Sequence, residues 1–248
     1  MASGQKIITV KDQYFGDVND FRKYGLIRQL VLPDGLRLGV CWMLTPPDGR
    51  PDGGFLKYLG KPKKYRHLDS ELFEYLRQVV EVDGDRRTAR IEDSTLLGSA
   101  LFQSSTLSDD RSERVNYFSE CVTLFACCNL VFFDPDNGLE VRSTSLGRKG
   151  SCKYLYWDEV CSMFTAGASV LIYQHFPYEE RAGYISRMTE ELRRRTHAAA
   201  VFSFRTPHVV FLLASHESHA EAFRSQLAAI RSLWAPQEIA AAEHLTPQ

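Results

Sequence analysis

Nothing in the 248 residues announces a membrane, a secretory route or a disulfide framework. No apolar run reaches the roughly 18 residues that a bilayer-spanning helix needs. The opening stretch, MASGQKIITVKDQ, lacks the apolar core of a secretory signal, so a cytoplasmic protein without a membrane partner is expected. Charge of one sign is lacking too. Lys and Arg number 30 against 31 Asp and Glu, a formal net charge of -1. That excludes a globally basic nucleic-acid binder but leaves room for local basic patches. The cysteines at 41, 121, 127, 128, 152 and 161 form no C-x-x-C pair. Structural zinc needs paired ligands at tight spacing, so no metal is expected and the thiols read as reduced, buried small hydrophobes. There is no internal repeat and no low-complexity linker.

What is present is an ordinary globular composition, 44% hydrophobic and 25% charged. One α/β domain over residues 1–248 is expected, with residues 1–35 forming a polar segment and a helix that packs over the site. Helical spacing of apolar residues predicts helices in 12–32, 70–80, 114–127, 154–164, 178–195 and 218–233. Asn19 or Asp20 is a plausible N-cap for the first of these. Short apolar runs predict strands at 36–44, 130–133 and 168–173. Two further strands, 199–204 and 209–214, are joined by the short turn RTPH, a hairpin signal. Wholly apolar strands alternating with helices point to a mostly parallel sheet covered on both faces, a three-layer Rossmann-like domain with a C-terminal antiparallel hairpin. Ligands of such sheets bind outside the carboxyl ends of the strands.

That rule turns two strand ends into site candidates. The run LVFF ends in Asp134-Pro135-Asp136-Asn137-Gly138, where Pro135 and Gly138 supply turn chemistry. A plain turn does not require two acids at the end of a central strand, so Asp134, Asp136 and Asn137 read as catalytic candidates. The run ASVLIY ends in Gln174-His175-Phe176-Pro177-Tyr178. His175 has a side chain suited to general acid–base work, and Gln174 can pair with an amide or a base edge. A third candidate is the entry to the first helix, with Tyr14, Phe15, Asp17, Asn19 and Lys23, which could hold an anion or stack a base. Two basic stretches, 57–66 and 142–153, interleave cations with aromatics, Gly or Ser. Lys153 closes the second, and such stretches suit phosphate contacts.

Taken in order, FGDVNDFRKYGLIRQL, LVFFDPDNG and GASVLIYQHFPYEERAGYISRMTEEL resemble the class I S-adenosylmethionine-dependent methyltransferases. The nearest likeness is to the bacterial enzymes that methylate adenine N6 in large-subunit ribosomal RNA. Those enzymes carry a D-V-x-K-H-like helix start, with Tyr24 here in the place of the His, and a D-P-P-Y tetrapeptide where this chain has Asp134 to Asn137. The resemblance implies S-adenosylmethionine as cofactor and DNA or RNA as partner. It implies that Asp134 accepts a hydrogen bond from the target amine. Asp136 and Asn137 replace the second Pro and the aromatic, so stacking falls to Phe133, Phe176 or Tyr178, with Gly138 closing the turn. It also implies a glycine-rich cofactor loop after the first strand, here TPPDGRPDGG, with Asp48, Gly49, Gly53 and Gly54. That loop has no G-x-G spacing. Two other classes stay open on the same residues. One is a nucleic-acid glycosylase or hydrolase that activates water with Asp134, Asp136, Asn137 and His175. The other is a non-catalytic nucleotide binder with a degenerate pocket.

Overall fold

Four apolar residues in succession suit a strand covered on both faces. Leu130–Phe133 is that strand, β3, in the computed structural model, which describes residues 12, 14–46 and 54–245. Its side chains alternate between two cores, Leu130 and Phe132 in one, Val131 and Phe133 in the other. β1 (Leu38–Cys41) and β6 (Ser169–His175) flank β3 in parallel, and β2 (Leu101–Gln103) pairs in parallel with β1. Beyond β6 the direction reverses. β8 (Val209–Ser215) runs antiparallel to β6, β7 (Ala200–Arg205) antiparallel to β8, and β9 (Ala240–His244) antiparallel to β7. The fold is α/β, with a seven-stranded mixed sheet in the order β2-β1-β3-β6-β8-β7-β9.

This corrects the expected mostly parallel sheet, and the reason lies in side-chain character. Every residue of β8 is buried, so it takes an interior place beside β6. β9, Ala-Ala-Ala-Glu-His, is half-buried throughout. Its small and polar side chains suit an edge, and they carry no strand pattern of the kind that sequence reading detects.

The first core lies under α1 (Val18–Val31), α2 (Ser70–Arg77) and α3 (Glu217–Leu233). The second lies under α4 (Arg111–Leu124), α5 (Trp157–Thr165) and α6 (Arg181–Thr196). The N-cap of α1 is Asp17, not Asn19 or Asp20; it accepts from the backbone N–H groups of Asn19 (2.7 Å) and Asp20 (3.0 Å). Asp69, Asp110 and Glu180 cap α2, α4 and α6 in the same way. The expected helix at 154–164 begins later, at Trp157, because Tyr154–Leu155 (β5) pairs in parallel with Gly138–Leu139 (β4). All six thiols are free; Cys127 is exposed, Cys161 half-buried and the rest buried. Among the described residues no helix is long and apolar enough to cross a membrane.

Candidate functional site

The carboxyl ends of β3 and β6 open into a cleft of about 760 Å³, roofed by the entry to α1. Such a volume is in the range of small-molecule and cofactor sites. The N-terminal segment contributes Tyr14, Asp17, Asn19 and Lys23, the β3 turn Asp134, Asp136 and Asn137, and the end of β6 Gln174, His175 and Phe176. Lys153 joins them from the second basic stretch. Four separate stretches of the sequence therefore share one cavity.

Its floor is a buried ion cluster. Lys23 Nζ donates to Asp134 Oδ2 at 3.0 Å and lies 2.9 Å from Asp20 Oδ1. Asp20 Oδ2 in turn accepts from Gly16 N (3.1 Å) and from the Tyr24 hydroxyl (3.3 Å). The ammonium is ringed by Tyr173, Tyr24 and Trp42, whose centroids lie 5.2, 5.6 and 6.0 Å from Nζ. Burial pulls the Lys23 pKa down, but the carboxylates of Asp134 and Asp20 outweigh it and hold the group well above its ordinary value. Lys23 is thus held as a cation between the two carboxylates. Asp17 behaves differently. Burial, then the charge of Asp20, pushes its carboxyl up to about 6, the range in which a proton can be held or released near neutral pH.

Above the floor, Thr45 Oγ donates to Asp136 Oδ2 at 2.5 Å, while Asn137 is exposed and its N–H donates to the Lys153 carbonyl at 2.9 Å. Gln174 is buried and committed to the backbone. Its Oε1 accepts from Leu139 N (2.7 Å) and its Nε2 donates to the His175 carbonyl (2.8 Å). These two bonds hold β4 against β6, a structural role that the sequence reading did not give it. The same packing explains Gly138, whose φ is +90° and where a Cβ would stand 2.5 Å from the Gln174 amide.

Other expectations are corrected as well. Phe133 stacks nothing in the cleft; its ring is wholly buried in the second core, 6.4 Å from Phe118. Phe15 is wholly buried as well, beside Tyr24 at 6.4 Å. Tyr178 lies outside the main cleft and lines a neighbouring hollow. Gly54 is exposed, and Asp48, Gly49 and Gly53 lie outside the described residues. Sequence reading missed Asp20 as part of the ion cluster, although its i,i+3 spacing to Lys23 was a visible signal. It also missed Phe55, an exposed aromatic in a loop without periodicity, and Glu140, Tyr184 and Arg187 in the outer wall.

Carboxylates outnumber cations in the lining: Asp17, Asp20, Asp134, Asp136, Glu140 and Glu179 face Lys23, Lys153 and Arg187. An interior of that balance disfavours phosphate and favours an amine-bearing or cationic ligand. Among the described residues no group of three or more His, Cys, Asp or Glu side chains is arranged to hold a metal ion. The chain matches no known protein-family model and has no significant sequence match among curated proteins.

Proposed function

We propose that the chain is a nucleic-acid-modifying enzyme that takes a nucleobase into this cleft and acts on it by acid–base chemistry. The observation that carries the reading is the convergence of the DPDNG turn, the QHFP turn and the start of α1 on one cavity. Its floor is charged and its mouth holds the half-buried Asp136, the exposed Asn137 and the exposed His175. The acid-rich interior would admit the base edge and leave the phosphodiester outside. Asp17 can carry a proton near neutral pH, Asp136 and Asn137 can position water, and Lys23 fixes the Asp134 carboxylate beneath them. This amounts to a hydrolase or glycosylase reading. It takes the fold as three-layer and Rossmann-like, supported by a core on each sheet face and a cleft at the carboxyl ends of parallel strands. It assigns the protein to the cytoplasm, where free thiols stay reduced.

Base methylation is the second reading, favoured by the likeness of the Lys23 and Asp134 segments to the adenine-N6 methyltransferases. It requires S-adenosylmethionine at the exit of β1, where a glycine bed lets backbone approach a cofactor. The described residues there do not fit. Trp42, Met43, Leu44 and Thr45 are all buried, Thr45 is tied to Asp136, and Gly54 stands exposed.

Incubation with single-stranded and duplex DNA and RNA, with and without added S-adenosylmethionine, followed by mass analysis, tests both readings. The expected result is released base or cleaved strand, lost in Asp136→Ala, with no calorimetric heat from S-adenosylmethionine. A methylated product would replace the hydrolytic reading with the second. Absence of both binding and modification on every substrate would overturn the nucleic-acid assignment.

A further inference from the structure

Large apolar side chains exposed to water are unusual when they cluster, and three of them, Phe55, Val141 and Tyr178, lie along the cleft and the hollow beside it. Tyr178 is fully exposed and Phe55 is 62% exposed. The hollow, about 720 Å³, shares Phe176, Pro177 and Glu179 with the main cleft and continues to Tyr178 and His208. Phe55 and His208 stand nearly parallel across the two, with centroids 6.2 Å apart and an interplanar angle of 13°. Arg181 lies 4.9 Å over the Phe176 ring. Both acids of this strip are engaged: Glu179 pairs with Arg187 at 2.8 Å, and Glu180 caps α6.

We infer that this strip is a stacking track for single-stranded nucleic acid, holding the nucleotides next to the base that enters the cleft; the inference rests on the nucleobase reading above. A track of separated ring faces with one adjoining guanidinium suits unpaired bases of any sequence. In a duplex those faces are already stacked on one another and cannot reach Tyr178. Contacts along the track would add to those of the base in the cleft, so a single strand would bind more tightly than a free nucleotide.

The test is fluorescence anisotropy of the full chain with labelled single-stranded oligonucleotides, the matching duplex and the free mononucleotides. Single strands are expected to bind more tightly than the duplex. Tyr178→Ala and His208→Ala should each weaken single-strand binding by about 5- to 100-fold, while mononucleotide affinity stays unchanged. Both positions are exposed, and an unchanged melting temperature will show that the fold is intact. Equal affinity for duplex and single strand, or wild-type binding by both variants, overturns the track. If that occurs while the wild-type chain still releases base or cleaves strand and Asp136→Ala does not, the cleft reading survives alone. If no oligonucleotide or mononucleotide binds the wild-type chain, both fall together.

Discussion

Replacing Lys23 by Met removes the cation of the buried cluster while keeping a chain of similar length among Tyr24, Trp42 and Tyr173. Asp134 and Asp20 then both lose the ammonium that lies 3.0 and 2.9 Å from them, and both sit in a site with almost no water access, 1% and 5% exposed. Stranding one partner of a buried pair costs roughly 3–5 kcal/mol. For a domain of this size each kcal/mol moves the melting temperature by roughly 2–4 °C, so a fall of about 6–20 °C is expected by calorimetry at neutral pH. The pH dependence carries the sharper sign. In the wild type, a lysine pKa raised above 10.5 contributes stability that is fully present below that value and lost only as pH rises through the higher folded value. In Lys23→Met the stranded carboxylates gain from protonation, so the deficit against wild type should shrink as pH falls toward about 4. Adding Asp134→Asn to Lys23→Met should restore part of the loss, making the pair less than additive. A drop below about 1 kcal/mol that is the same at pH 5 and pH 8 would refute the view that this cluster is a charge-balanced unit.

Asp17→Asn keeps an N-cap acceptor but removes a carboxyl raised to about 6. A raised carboxyl loses folded-state stability as pH climbs from about 4 to about 6. The variant should therefore exceed wild type by roughly 1–3 kcal/mol at pH 8 and match it below pH 4 in urea titrations, while losing turnover. Gly138→Ala forces a left-handed backbone and a clash with Gln174, so a loss of at least roughly 2 kcal/mol is expected, with β4 amides exchanging faster with solvent. Arg114 is 1% exposed and holds Glu159 at 2.5 Å and the carbonyls of Ser151 and Tyr154. Arg114→Leu should cost roughly 3–5 kcal/mol and loosen β5; an unchanged denaturation midpoint would show that these bonds are dispensable.

The elements that sequence reading located are those whose signal is local. LVFF and ASVLIY are apolar because both faces of β3 and β6 are covered, and their polar ends mark the cleft for the same reason. What escaped depends on pairing across long separations. The mini-sheet of Gly138–Leu139 and Tyr154–Leu155 has two residues in each strand, too few for any period to show. Gln174 looked like a recognition residue because its amide is polar; only the packed structure reveals that Leu139 N and the His175 carbonyl each take one of its hydrogen bonds. Phe15 and Phe133 read as stacking candidates for the opposite reason. Each adjoins polar residues in sequence, yet its ring turns into a core.

The reversal of strand direction at β8 ties these points together. Because β8 runs antiparallel to β6, its first residue, Val209, pairs with His175, the last residue of β6. The turn that precedes β8 therefore sits at the same edge of the sheet as the carboxyl ends of β3 and β6, and it carries His208 to the hollow beside the cleft. A parallel neighbour would have sent that turn to the opposite edge. With the strand order as it is, the DPDNG turn supplies charge, the QHFP turn supplies the ridge between cleft and hollow, and the RTPH turn supplies the ring that faces Phe55. One edge of the sheet thus carries both the chemistry of the proposed reaction and the surface that would select its substrate.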